Sequence, residues 1–133
     1  MTRNEAREIM MQIMFEMDAS KEISSENAAK LADERLAGNH KERGKTLLIN
    51  IIEELDNIDA QINENSRSWK TGRMPKVDLA VMRLAVGEIK FADDVPAAVA
   101  INEAINLAKK FSTEQSSRFI HGVLGAIAKS NEQ

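Results

Sequence analysis

The sequence predicts an all-α fold, a compact bundle of about six or seven helices forming a single domain over residues 1–133. Three observations carry that prediction. Apolar residues recur at three- and four-residue spacing along most of the chain. Strand-like alternation never persists, because β-branched residues are scattered among helix formers. Ser, Asn, Gly and Pro gather at intervals suited to helix ends. Two helical halves, about 1–65 and 74–133, are expected to share one core.

The first helix covers residues 3–17, with Ala6, Ile9, Met10, Ile13, Met14 and Met17 on one stripe opposite Arg7, Glu8 and Glu16. Ser24 and Ser25 offer a start for a second, inward through Ala28, Ala29, Leu31, Ala32 and Leu36, which Gly38 and Asn39 end. Leu47, Leu48, Ile51, Ile52, Leu55, Ile58 and Ile62 then repeat for about four turns as one helix. The stretch NENSRSWKTGRMPK is a break, and Pro75 fits the first turn of the next helix. That helix, KVDLAVMRLAVGEIKF, is apolar almost all round except for Asp78, Arg83 and Glu88, so it belongs at the centre.

Asp93 and Asp94, followed by Pro96, mark another start, with acids near the positive end of the helix dipole. Its buried stripe is Ala97, Ile101, Ala104, Ile105, Ala108 and Phe111. Asn102 and Glu103 face out and tie down a neighbouring loop. Ser112 and Gln115 have capping-box spacing and open a last helix with Ile120, Val123, Leu124 and Ile127 inward. Gly122 and Gly125 in its interior are explained by close approach of another helix.

Composition removes several function classes. There is no cysteine, hence no disulfide, thiolate metal site or cysteine nucleophile. His40 and His121 are far apart in sequence and in different kinds of segment, so no metal site is expected. No apolar run reaches a membrane span, and MTRNEAREIMM lacks a signal peptide's apolar stretch, which makes the cytoplasm the expected compartment. Glycine-rich phosphate loops and a nucleophile elbow are also missing, and the pairs Glu53-Glu54 and Asp93-Asp94 diverge on a helix. Neither catalysis nor a cofactor is expected.

Binding is better supported. The net charge of −3 conceals a basic island: residues 1–65 carry 8 basic and 14 acidic side chains, whereas residues 66–91 carry 6 and 2. Such an island can meet a polyanion at close range, or be a solvated linker face. Arg3 and Arg7, four apart, rise from one helix face about 6 Å apart and suit two phosphate contacts, unless they are ordinary surface. Phe119 lies at the edge of the last apolar stripe beside Arg118. That pair is either core edge or a platform for an unpaired base.

Three motifs, AREIMMQIMF (Ala6 to Phe15), VDLAVMRLAVGEI (Val77 to Ile89) and VPAAVAINEAINLAKKFSTEQSSRFIHGVL (Val95 to Leu124), resemble the NusB family of bacterial transcription antitermination factors over nearly the whole chain. The resemblance implies a helical fold that acts without catalysis. It also implies binding to the small-subunit ribosomal protein NusE, the pair holding single-stranded boxA RNA within the RNA polymerase antitermination complex and supporting ribosomal RNA transcription. By motif position, Arg3, Arg7, Arg118 and Phe119 would contact RNA, and Phe15 and Asp78 would lie at the NusE interface. The resemblance leaves the oligomeric state of the free protein open; a homodimer, where one forms, would cover the partner-binding face.

Three positions depart from the family pattern. Asn4 stands where a basic residue is common, Gln115 where an acid is common, and His121 where asparagine is usual. The thinned basic cluster keeps open an alternative, a helical protein-binding adaptor of the transcription complex without RNA contact. A third relation, to the NusB-like domain fused to ribosomal RNA cytosine methyltransferases, is disfavoured by the length of the chain, with no room for a catalytic domain after Gln133.

Overall fold

Seven α-helices run through residues 1–131, which are those the computed structural model describes: α1 (Arg3–Ser20), α2 (Ser25–Arg35), α3 (Asn39–Glu53), α4 (Leu55–Glu64), α5 (Lys76–Phe91), α6 (Ala97–Phe111) and α7 (Glu114–Asn131). A 3-10 turn occupies Thr71–Arg73, and no strand occurs among the described residues. Local chemistry sets the ends. Thr2 Oγ1 accepts from the Glu5 N–H at 3.1 Å, and Ser24 Oγ from the Asn27 N–H at 3.0 Å, each satisfying an orphan donor of a first turn. Lys21 closes α1 in the left-handed region at φ 59°, and the N–H groups of Lys21 and Glu22 bond back to the carbonyls of Asp18 and Met17.

Several details depart from what residue spacing predicts. The long apolar repeat from Leu47 to Ile62 is two helices, broken at Glu54, whose φ of −108° and ψ of 19° leave the helical region. The break spans one residue, so the apolar spacing runs through it unaltered. Pro75 stands just before α5 rather than inside its first turn, whereas Pro96 marks the start of α6 as expected; their carbonyls accept the first helical bonds, from Leu79 and Ala100. The cap of α7 is Thr113, not Ser112: its Oγ1 accepts from the Ser116 N–H at 3.0 Å.

Helix α5 is the hub. It packs against α1, α3, α4, α6 and α7, and every residue from Asp78 to Glu88 is buried. One apolar cluster takes residues from all seven helices, including Met14 and Met17 of α1, Leu48 and Ile51 of α3, Met82 and Leu84 of α5, and Ile120, Leu124 and Ile127 of α7. The close approaches that a glycine permits fall at Gly87 in α5 and Gly44 in α3, not in α7. A Cβ at Gly87 would sit 2.3 Å from Ile51 Cγ1 and Cδ1, whereas at Gly122 and Gly125 it would meet nothing within 4 Å. Phe111, expected inside, is 36% exposed at the end of α6.

Charge pairs fix how α1 lies on α5. Arg7 meets Glu88 near one end, while Asp18 lies 3.7 Å from Arg83 and 3.4 Å from Lys76 near the other. The two helices are therefore antiparallel. Arg83 also holds Asp59 of α4 through two hydrogen bonds, of 2.9 and 2.7 Å.

Candidate nucleic-acid interface

Arg7 does not stand on the surface beside Arg3. Its side chain is buried, and the guanidinium makes a forked contact with Glu88, Nη2 to Oε2 at 2.6 Å and Nε to Oε1 at 3.1 Å. Glu103 of α6, expected to tie down a loop, lies 3.7 Å from Arg7 Nη1 instead. Burial works against the charged guanidinium, but the Glu88 hydrogen bonds and then the charges of Glu88 and Glu103 outweigh it and hold its pKa above the ordinary value. The physical reason for this placement is Glu88 itself, one of the few charged residues in the buried span of α5, which requires a cationic partner once buried.

Arg3 is exposed, 3.8 Å from Asp94, which Arg43 also holds at 2.8 Å. Arg3 thus stands at the end of α5 where Glu88 lies. Phe119 belongs to the other end. Its helix, α7, is anchored beside the start of α5 by Ser116, whose Oγ donates to Asp78 Oδ2 at 2.7 Å. Asp78 and Glu88 are ten residues apart, about 15 Å along α5. Helix α7 packs on α4, α5 and α6, and α1 on α2, α3 and α5. The first and last helices are therefore not packed side by side, and Arg3, Arg7 and Phe119 do not form one compact cluster.

Phe119 is half-buried, its ring in edge-to-face contact with Trp69 at 5.2 Å between centroids and 70° between planes. Arg118 beside it is exposed. Trp69 falls in the stretch that composition marks only as a break; its aromatic character among Arg67, Lys70 and Arg73 is the available signal. The loop carrying it is tightly held. Asn63 Oδ1 accepts from the Thr71 N–H at 2.8 Å, and Lys70 Nζ donates to the Asn63 and Ser66 carbonyls at 2.9 and 2.6 Å. Ser66 Oγ donates to the Trp69 carbonyl.

The basic island consequently divides. Lys76 and Arg83 are engaged by Asp18 and Asp59, whereas Arg67 and Arg73 are exposed and make no ion pair among the described residues. Phe15 is half-buried and lines a groove of about 550 Å³ between the end of α1 and α2, with Glu16, Met17, Lys30 and Leu31. Asp78 has no exposed surface, and its Oδ1 finds no hydrogen-bond partner in the protein. No group of three His, Asp or Glu residues suited to a metal ion occurs among the described residues. Among the described residues, no helix is long and apolar enough to cross a membrane.

Comparison with known proteins gives the class through the fold. NusB of T. maritima superposes with a TM-score of 0.87 at 32% identity, covering 97% of this chain and 92% of that one. A chain from the complex of antitermination factors NusB and NusE with double-stranded RNA superposes with a TM-score of 0.82 at 25% identity, covering 96% of each. Among curated relatives, the transcription antitermination protein NusB of Natranaerobius thermophilus is 41% identical over 96% of this chain and 95% of its own length. That of Agathobacter rectalis is 40% identical over 96% and 100%. The NusB family model matches residues 4–129, and the chain belongs to the NusB family, a family of transcription antitermination factors.

Proposed function

We propose that this protein binds boxA-type single-stranded RNA together with NusE, and that the complex joins RNA polymerase to support transcription of ribosomal RNA. Membership of the family supports the transcriptional role, and a similar chain in a complex with NusE and double-stranded RNA supports NusE and RNA as the classes of partner, the single-stranded form resting on the exposed aromatic described next. The observation that carries RNA contact is the half-exposed Phe119 beside the exposed Arg118 on α7. A ring at that edge stacks an unpaired base while a guanidinium holds its phosphate. Arg3 adds a second cation some distance away, suited to an extended strand. Arg7 serves the surface only indirectly, by fixing α1. The groove containing Phe15 is the proposed NusE surface, with Asp78 holding the first turn of α7 rather than meeting NusE itself.

Mixing the protein with NusE and labelled boxA RNA tests this. A slower-migrating complex is expected at moderate salt, with affinity falling steeply as salt rises. Phe119→Leu, which keeps apolar bulk against Trp69, is expected to weaken RNA binding with little change in melting temperature. Absence of any complex with the unaltered protein overturns the proposal. A second reading, an adaptor without RNA contact, is favoured by one observation: Arg7 is already engaged by two carboxylates. It requires NusE binding with no gain in RNA affinity.

A further inference from the structure

We propose, resting on the RNA-binding reading above, that Trp69 and Phe119 together form a two-ring platform for unpaired RNA bases, with Arg67, Arg73 and Arg118 holding the adjoining phosphates. The α4–α5 loop is thereby part of the RNA surface and not a mere connection. Its geometry is fixed before any ligand arrives, since Asn63, Ser66 and Lys70 tie it to the end of α4. A loop held in this way presents its ring with little backbone ordering cost on binding, so that only the exposed side chains of Arg67 and Arg73 remain to be ordered.

The two rings meet edge to face, with planes 70° apart. Bases stacked on both cannot remain parallel to one another, so the platform fits bases splayed from a single strand and not the continuous stack of a duplex. Packing accounts for the buried halves of both rings. It does not account for Arg67, Arg73 and Arg118, which stand exposed in the same two segments and have no acidic partner among the described residues, unlike Lys76 and Arg83 nearby. Three unneutralised guanidinium groups with two aromatic rings are the chemistry that tracks a nucleic-acid single strand.

Trp69 is the chain's only tryptophan, which makes the test direct. The protein–NusE complex is titrated with boxA RNA while Trp69 fluorescence is followed, the Trp69→Phe complex serving to subtract other emission. Quenching is expected with the single strand and not with a duplex of the same sequence. Trp69→Leu is expected to weaken RNA binding by about five- to hundredfold with NusE binding unchanged. The Arg67→Gln/Arg73→Gln variant, which leaves the rings intact, is expected to reduce the slope of log affinity against log salt by roughly 1.4, two phosphates' worth for a single strand. That variant decides the matter if Trp69→Leu fails to fold.

RNA binding without quenching, and unaffected by either variant, overturns the platform while leaving the RNA-binding reading standing. Equal quenching by duplex overturns it as well. Loss of NusE binding alone in Trp69→Leu assigns the ring pair to the protein interface and overturns it too. No binding of RNA by the unaltered complex overturns both readings at once.

Discussion

Arg7 and Arg118 make an instructive pair of regions. Each lies on a terminal helix of the bundle, and each looks in sequence like a surface cation, Arg7 opposite the apolar stripe of its helix and Arg118 beside the ring at the edge of its own. One is buried at 4% exposure in a forked contact with an acid 81 positions away; the other stands in solvent beside an aromatic ring. Helical spacing specifies which face of its own helix a residue occupies. It does not specify what the neighbouring helix brings to that face, and here Glu88 and Glu103 turned one face into interior.

The sharpest way to break this comparison is to remove an acid. Glu88→Gln leaves the Arg7 guanidinium buried beside a neutral amide and is expected to cost about 3–5 kcal/mol in urea unfolding. Replacing both partners, Arg7→Met with Glu88→Leu, is expected to recover most of that loss, because neither charge remains to be desolvated. The folded double variant should bind RNA as the unaltered protein does; a clear loss of affinity would return Arg7 to the RNA surface.

Glycine offers a second contrast. Gly87→Ala is expected to cost about 1–3 kcal/mol, since its Cβ would collide with Ile51, and Ile51→Val in the same chain should restore part of it. Gly122→Ala meets open space and is expected to raise stability by up to about 1 kcal/mol. Denaturant midpoints with constant m-values check both signs.

The smallest expected effect concerns Asp94. Arg43's hydrogen bond lowers its carboxylate pKa, burial opposes, and the charges of Arg43 and then Arg3 add to the lowering. A pKa lower in the folded than in the unfolded state means stabilisation present above the ordinary value of 3.8 and lost as pH falls through the folded value. Melting temperatures of Asp94→Asn and the unaltered protein should differ slightly near pH 5, and the difference should shrink and vanish as pH falls below the ordinary value of 3.8 and through the lowered folded one. A difference that persists in acid would show that the contact is not electrostatic.

Much of the fold is legible in the sequence because helix periodicity is a local property. The stripes of α1 and the all-round apolar surface of α5 derive from spacing alone, and so does the central position of α5. The break at Glu54 is illegible, since neither Gly nor Pro marks it and one residue leaves the phase of the repeat intact. The cap of α7 falls one residue from its expected place because Ser112 and Thr113 are both capping types. At the candidate site, Phe119 is legible as an edge residue, whereas Trp69 is not, because its meaning depends on a ring 50 positions away. The burial of Arg7 is hidden for the same reason, although a lone Glu88 amid apolar neighbours carries the hint.

The two tethers between α1 and α5 also set a register. A slip of α1 by a single turn, about 5.4 Å, would carry Arg7 past Glu88 and Asp18 past Arg83 together, stranding charge at both levels. Intermediate alignments are disfavoured at each level in turn, so the helix has one seating rather than a sliding range. The offset between Arg3 at one end and the Trp69–Phe119 pair at the other is thereby a fixed length, and under the proposed RNA reading it sets the span a strand must cover to touch both.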